Sequence, residues 1–174
     1  MCQTQAVGYT IFMTSELLLR RKWTLRAHGQ QVVFVKKPIE HGHHVLMKAF
    51  LWALYLPQYP GLKVEISVGD RYKPDVVALS PDPHGDPLFW GEAGQVSPEK
   101  ITSLGRRYRN THFALAKWGA NLYTVEQLVT EALAGIDRRA PVDLLCFPTD
   151  SADRFIDARG NITVTLADLT WRRL

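Results

Sequence analysis

Two carboxylates stand out by position: Asp75, after Pro74, opens the apolar run Val76 to Leu79, and Glu92 closes the run Pro87 to Gly91. A hairpin turning through Pro81 to Asp86 sets them side by side on neighbouring strands. Paired carboxylates make a hard, oxygen-rich site suited to Mg²⁺ or Mn²⁺. Magnesium in particular keeps most of its waters and needs only one or two protein carboxylates. The basic group Lys100, Arg106, Arg107, Arg109 and Lys117 follows at once, which would put a phosphate-binding face next to such an ion. Tyr108 and Trp118 fit core positions better than base-stacking ones at their spacing. His41, His43 and His44 invite a zinc reading, but no cysteine lies near and the spacing is not that of a zinc-binding helix, so they are expected to be solvated at a helix start.

Flanking elements must hold these residues. Ser97 is a good N-cap and Pro98 a good first helical residue, so a helix is expected from Pro98 to about Arg109, with Lys100 and Arg107 two turns apart on one face. Before the carboxylates, Pro38-Ile39-Glu40 leads into His41 to Leu56, where Val45, Leu46, Ala49, Phe50, Ala53 and Leu54 recur at helical spacing. Strand-like runs cover Leu62 to Val68, Asp75 to Leu79 and Leu88 to Glu92, and should form a meander. Upstream, the stretches Glu16 to Arg26 and Gln31 to Val35 read as a hairpin around His28-Gly29. Met1 to Thr14 read as a loosely attached end or a short edge strand. Downstream, His112 to Trp118 is a strand candidate and Val125 to Leu133 a helix stopped by Gly135. Val142 to Phe147, Arg154 to Ala158 and Ile162 to Leu166 read as strands, with a hairpin-like turn at Arg159-Gly160-Asn161.

A chain of 174 residues, 46% hydrophobic and 22% charged, suits one domain with a full core, spanning 1–174. A net charge of +4 and a pI near 9.2 permit a polyanionic partner without requiring one. Cys2 and Cys146 are too few and too far apart for a disulfide framework or a cysteine metal site. The longest apolar stretch, Ala49 to Pro57, falls short of the roughly 20 residues of a membrane span, and no basic segment precedes Ala6 to Met13 as in a secretory signal. A cytoplasmic protein without a membrane partner is the expectation.

The order helix, strand, strand, strand, helix, strand, with Glu40 at the first helix, Pro74-Asp75 on the second strand and Glu92 on the third, resembles the core of the PD-(D/E)XK nuclease superfamily. Within it, Pro38 to Leu56, the run Trp90-Gly91-Glu92-Ala93-Gly94-Gln95 leading into Pro98-Glu99-Lys100, and the ending Val164-Thr165-Leu166 to Trp171 are similar to the YaeQ-like family. The resemblance implies an α/β fold: a mixed central sheet flanked by helices, with an added β layer from N- and C-terminal strands. It implies Mg²⁺ or Mn²⁺ held by Asp75 and Glu92, Glu40 completing or supporting the site, and hydrolysis of nucleic-acid phosphodiesters. The chain departs from the superfamily where a lysine belongs two residues after Glu92, because Gly94 stands there. Gln95 could orient water, or Lys100 could reach back from the next helix. The lysine is favoured because a glutamine carries no charge. The alternative is a catalytically degenerate nuclease fold that binds nucleic acid or a protein partner without cleaving.

Overall fold

The strand Phe89–Ala93, β5 in chain order, is buried along its whole length and is the third strand of a six-stranded mixed sheet. The computed structural model describes residues 15–174, so the expectation for Met1 to Thr14 lies outside the described residues. The chain runs α1 (Glu16–Leu19), β1 (Lys22–Ala27), β2 (Gln30–Val35), α2 (Gly42–Tyr55), β3 (Lys63–Val64), β4 (Val76–Ala78) and β5. It continues as α3 (Pro98–Arg107), β6 (His112–Trp118), α4 (Leu122–Ala132), β7 (Val142–Phe147), α5 (Ser151–Phe155), a 3₁₀ turn (Leu166–Asp168) and β8 (Thr170–Arg173). The sheet order is β3-β4-β5-β6-β7-β8, and β1 and β2 form a separate antiparallel pair.

Only β5, β6 and β7 are mutually parallel, because α3 and α4 supply the crossovers that parallel neighbours need. Being covered on both sides, these strands carry apolar residues on both faces. Ala114, Ala116, Leu145 and Phe147 pack under α2, the β1–β2 hairpin and α5. Phe113, Leu115, Leu144 and Cys146 pack with Trp90 under α3 and α4. The small alanines leave room for Phe50 and Leu51 of α2, both fully buried. Among the described residues, no helix is long and apolar enough to cross a membrane.

The mixed sheet, its flanking helices and the extra hairpin agree with the expected fold class. Several local expectations do not hold. Arg154 to Ala158 is not a strand: Ser151–Phe155 is helical, with Ala152 and Phe155 buried three residues apart, a helical spacing. Ile162 to Leu166 makes a single isolated bridge, Ile162 to Ile156, with a second just before it from Asn161 to Arg26. It ends in the 3₁₀ turn, whose Thr165 and Asp168 cap each other reciprocally. The turn at residues 159–161 is present, closed by the Asp157 carboxylate accepting from the Arg159 and Asn161 N–H groups. β3 covers two residues of the expected run, since Glu65 takes a left-handed φ of 53° and ends it.

At the edge opposite to β3, β8 pairs antiparallel with β7. Its last residue, Arg173, is held by Asp143, a wholly buried carboxylate that accepts from Arg173 Nε at 2.7 Å, Tyr55 Oη at 2.7 Å and His112 Nε2 at 2.8 Å. Burial alone would raise its pKa, but these donors outweigh it and hold Asp143 well below the usual carboxylate range. His112 opens β6 whereas Glu92 lies near the end of β5, so this polar knot and the paired carboxylates sit at opposite ends of the parallel strands.

Candidate functional site

The β4–β5 register pairs Val76 with Gly91 and so carries Asp75 to the side of Glu92. The Asp75 N–H donates to the Gly91 carbonyl at 3.1 Å, its Oδ2 accepts from the Ala93 N–H at 2.8 Å, and its carbonyl accepts from the Glu65 N–H at 2.9 Å. Burial works to raise the Asp75 pKa, but the contact with His44, the Ala93 hydrogen bond and the nearby Lys48 charge more than offset it, so the group is held below its ordinary value. Glu92 goes the other way. Its side chain is 6% exposed, and burial, helped by the neighbouring Asp75 charge, raises its pKa despite the opposing pull of Lys100 and Trp90. Two adjacent carboxylates with pKa values pushed apart are a feature of sites that bind cations or move protons.

Ser97 accepts from the Lys100 N–H at 3.2 Å and Pro98 opens α3, as the sequence indicated. That cap places Lys100 in the first turn, and its Nζ reaches Glu92 Oε1 at 2.7 Å, an oxygen that also accepts from Trp90 Nε1 at 2.6 Å. Gly94 has a φ of 80°, a left-handed backbone that disfavours any side chain there. Its carbonyl accepts from Lys117 Nζ, whose pKa is lowered by burial. Gln95 is exposed, one residue beyond this turn.

Glu40, 7% exposed, precedes α2, accepts from the Lys37 N–H at 3.1 Å and pairs with Lys48 Nζ at 2.5 Å. Lys48 in turn bonds Glu65 Oε1 at 2.6 Å and is 2% exposed. Glu40 is thus linked to Asp75 by two routes. One runs through Lys48 and Glu65, whose N–H holds the Asp75 carbonyl. The other runs through His44, with Nε2 3.9 Å from Glu40 Oε1 and 3.6 Å from Asp75 Oδ1. His44 is therefore not a solvated helix-start residue but a half-buried part of the carboxylate cluster. Lys48 and Glu65 were not foreseen from the sequence. A lone lysine amid Leu46, Met47, Ala49 and Phe50 is the signal that could have found the first, because a lysine buried in an apolar helix must be paired.

Arg106 and Arg107 line an open cleft on the outer side of α3, with Pro98, Glu99, Thr102 and Ser103 and without either carboxylate. Arg106 is exposed, while Arg107 bonds Asp70 Oδ2 at 3.0 Å. Asp70, 3% exposed, also accepts from Tyr108 Oη and the Tyr72 N–H, both at 2.8 Å, so Arg107 helps to pin the segment before Asp75. That segment sets the Tyr72 ring 5.4 Å from Lys100 Nζ. Tyr108 is buried and Trp118 stacks on Phe50, the core roles their spacing indicated.

Among the described residues, no three His, Cys, Asp or Glu side chains converge as a metal-binding group. This gives no support to a tetrahedral zinc set at His41, His43 and His44. Glu92 Oε2 makes no hydrogen bond among the described residues, and Asp75 Oδ1 has His44 Nε2 3.6 Å away, whereas their partner oxygens are taken by Trp90, Lys100 and the Ala93 N–H. Two carboxylates are the kind of donor that a hard ion otherwise bound by water would use.

No protein-family model matches the chain, and no curated protein matches it in sequence. In fold it is similar to the crystal structure of the YaeQ protein from Pseudomonas syringae, with a TM-score of 0.55 and 19% identity over 79% of this chain and 75% of that one. It is also similar to the YaeQ protein from Xanthomonas axonopodis pv. citri, with a TM-score of 0.51 and 16% identity over 72% of this chain and 73% of that one. The fold is thus YaeQ-like.

Proposed function

We propose that the protein is a cytoplasmic, metal-assisted hydrolase of nucleic-acid phosphodiesters, of the PD-(D/E)XK type, with its site at Asp75, Glu92 and Lys100. The observation that supports the reading is the 2.7 Å contact between Lys100 Nζ and Glu92 Oε1, which sets a cation from α3 against one of the paired carboxylates. Asp75 and Glu92 would hold Mg²⁺ or Mn²⁺. Such an ion, when bound, polarises a phosphoryl oxygen and lowers the pKa of a water. Asp75 is oriented for this by the Ala93 and Gly91 backbone, and Glu40, linked to it through Lys48 and His44, would complete or support the site from the start of α2. Lys100 stabilises negative charge that develops on the attacked phosphate. Gln95 has the chemistry to orient water but no charge to replace the lysine.

A second reading, binding of nucleic acid or a protein partner without cleavage, is favoured by one observation: Glu92 already has a counter-ion in Lys100. Metal linkage separates the two. Because a ligand bound only by the native state raises stability, millimolar Mn²⁺ should raise the melting temperature of the wild type and not that of Asp75→Asn. Equal indifference of both proteins to Mn²⁺ would remove the metal site and with it the hydrolase.

A further inference from the structure

Away from the carboxylates, β1 and the turn at residues 157–161 enclose a cleft of about 320 Å³. Among the described residues its lining contains the cations Arg20, Lys22, Arg26 and Arg159 and a single acid, Asp157. The carboxylate of Asp157 is consumed within its own turn: Oδ1 accepts from the Arg159 and Asn161 N–H groups, each at 2.8 Å, and Oδ2 from Asn161 Nδ2 at 2.7 Å. It lies near Arg159 and offsets at most one of the four cationic charges, so a positive excess remains. Arg20 has an exposed partner in Glu16 at 3.8 Å, a contact too solvated to neutralise it.

The walls are fixed by backbone. The Gly160 carbonyl accepts from the Arg26 N–H at 2.8 Å, and the Ile162 N–H donates to the Arg26 carbonyl at 2.8 Å. Gly160 has a φ of 80°, and a Cβ there would collide with the Thr24 carbonyl oxygen, so the turn lies against β1 closer than any other residue allows. Arg26 Nη1 donates to the Arg159 carbonyl at 2.6 Å, which ties its guanidinium to the turn that forms the facing wall. A rigid recess with four cations and one internally satisfied acid is complementary to an anion with several oxygens.

We propose that this cleft is a phosphate-binding subsite that takes the backbone of a nucleic acid at a distance from the carboxylate site. Phosphate groups fit because guanidinium donors pair with phosphate oxygens in a bidentate manner. A neutral apolar ligand does not, because the apolar side chains behind the cleft, Trp23, Leu25 and Ile156, are buried in the core. The inference does not depend on hydrolysis, since it concerns charge and shape alone.

The test is binding of a fluorescently labelled single-stranded DNA oligonucleotide, measured against salt in EDTA, for wild type, Arg159→Gln and Lys22→Gln. Removing one cation that pairs with a phosphate should reduce the salt slope by about 0.7 for a single strand. Arg159→Gln and Lys22→Gln are expected to weaken binding and lower the slope without changing the melting temperature, since the carbonyl of Arg159, not its side chain, holds Arg26. Should Arg159→Gln disturb folding, Lys22→Gln decides. Calorimetry with inorganic pyrophosphate identifies the other source of the same chemistry: heat in the wild type that is absent from both cleft variants, without an oligonucleotide effect, assigns the cleft to a free phosphate anion. Unchanged affinity and slope for both probes, or binding only to phosphatidylserine vesicles, overturns the proposal. Because every arm is measured in EDTA, the readout contains no bound metal, so failure of the metal site and failure of the cleft are read separately.

Discussion

Lys100→Ala is expected to lower Mn²⁺-dependent phosphodiester cleavage by about 10²–10³, the usual effect of removing an electrostatic stabiliser acting mainly in the transition state. The fold should survive, because the Ser97 cap that starts α3 bonds the Lys100 backbone N–H and does not need its side chain. Glu92, left without its cation, can take a proton. That gives the substitution a second signature. The Glu92 pKa is already raised by burial and restrained by Lys100, so the acid limb of the rate profile should move to higher pH in the variant. Mn²⁺ binding measured on the alkaline side of that limb should persist. Wild-type rates in Lys100→Ala would reduce Lys100 to a counter-ion, and loss of folding would make it structural.

Lys48→Ala should have the largest effect on stability, about 3–5 kcal/mol, because it leaves two carboxylates facing each other without the cation between them. Glu40 and Glu65 are 7% and 26% exposed and Lys48 is 2% exposed, so solvent does little to replace it. The sign of the pH dependence follows. Burial opposes ionisation of Glu40, but Lys48 and the Lys37 N–H overcome it and depress the pKa, so its contribution is present at neutral pH and lost as pH falls through the carboxylate range. Burial likewise opposes the Lys48 charge, yet the two glutamates raise its pKa, so that contribution is lost only as pH climbs past the usual lysine value. Urea denaturation with an unchanged m value would measure the loss. A triple variant, Lys48→Met with Glu40→Gln and Glu65→Gln, should recover most of it. Equal loss in single and triple variants would show that shape rather than uncompensated charge is the cause.

The parts of this molecule that were legible in its sequence are those with a local cause. Ser97-Pro98 starts a helix in any context, the apolar run of β6 declares a buried strand, and Asp75 and Glu92 lie at strand ends that a short hairpin must bring together. What stayed hidden depends on pairings remote in sequence. β8 reads Thr-Trp-Arg-Arg, mostly exposed and without alternation, and is a strand only because β7 offers it an edge and Asp143 a partner for Arg173. Ile162 to Leu166 has the composition of a strand but no free neighbour to pair with beyond a single bridge at Ile162. In the candidate site, Glu40 and Lys100 could be named from the sequence, yet the connection of Glu40 to Asp75 through His44 and through Lys48 and Glu65 follows from packing of α2 over the sheet. Arg107, chosen as a phosphate contact from its helix face, meets Asp70 on a segment whose path no local pattern fixes.

The most direct test of the account is cleavage itself: purified protein with Mn²⁺ against single- and double-stranded DNA and RNA, beside Glu92→Gln. Glu92→Gln keeps the shape of the side chain and its hydrogen bond from Trp90 but removes the anionic ligand. The account predicts metal-dependent cleavage of at least one substrate by the wild type and none by Glu92→Gln. Substrates that are bound but left intact by the wild type across the whole panel would contradict it.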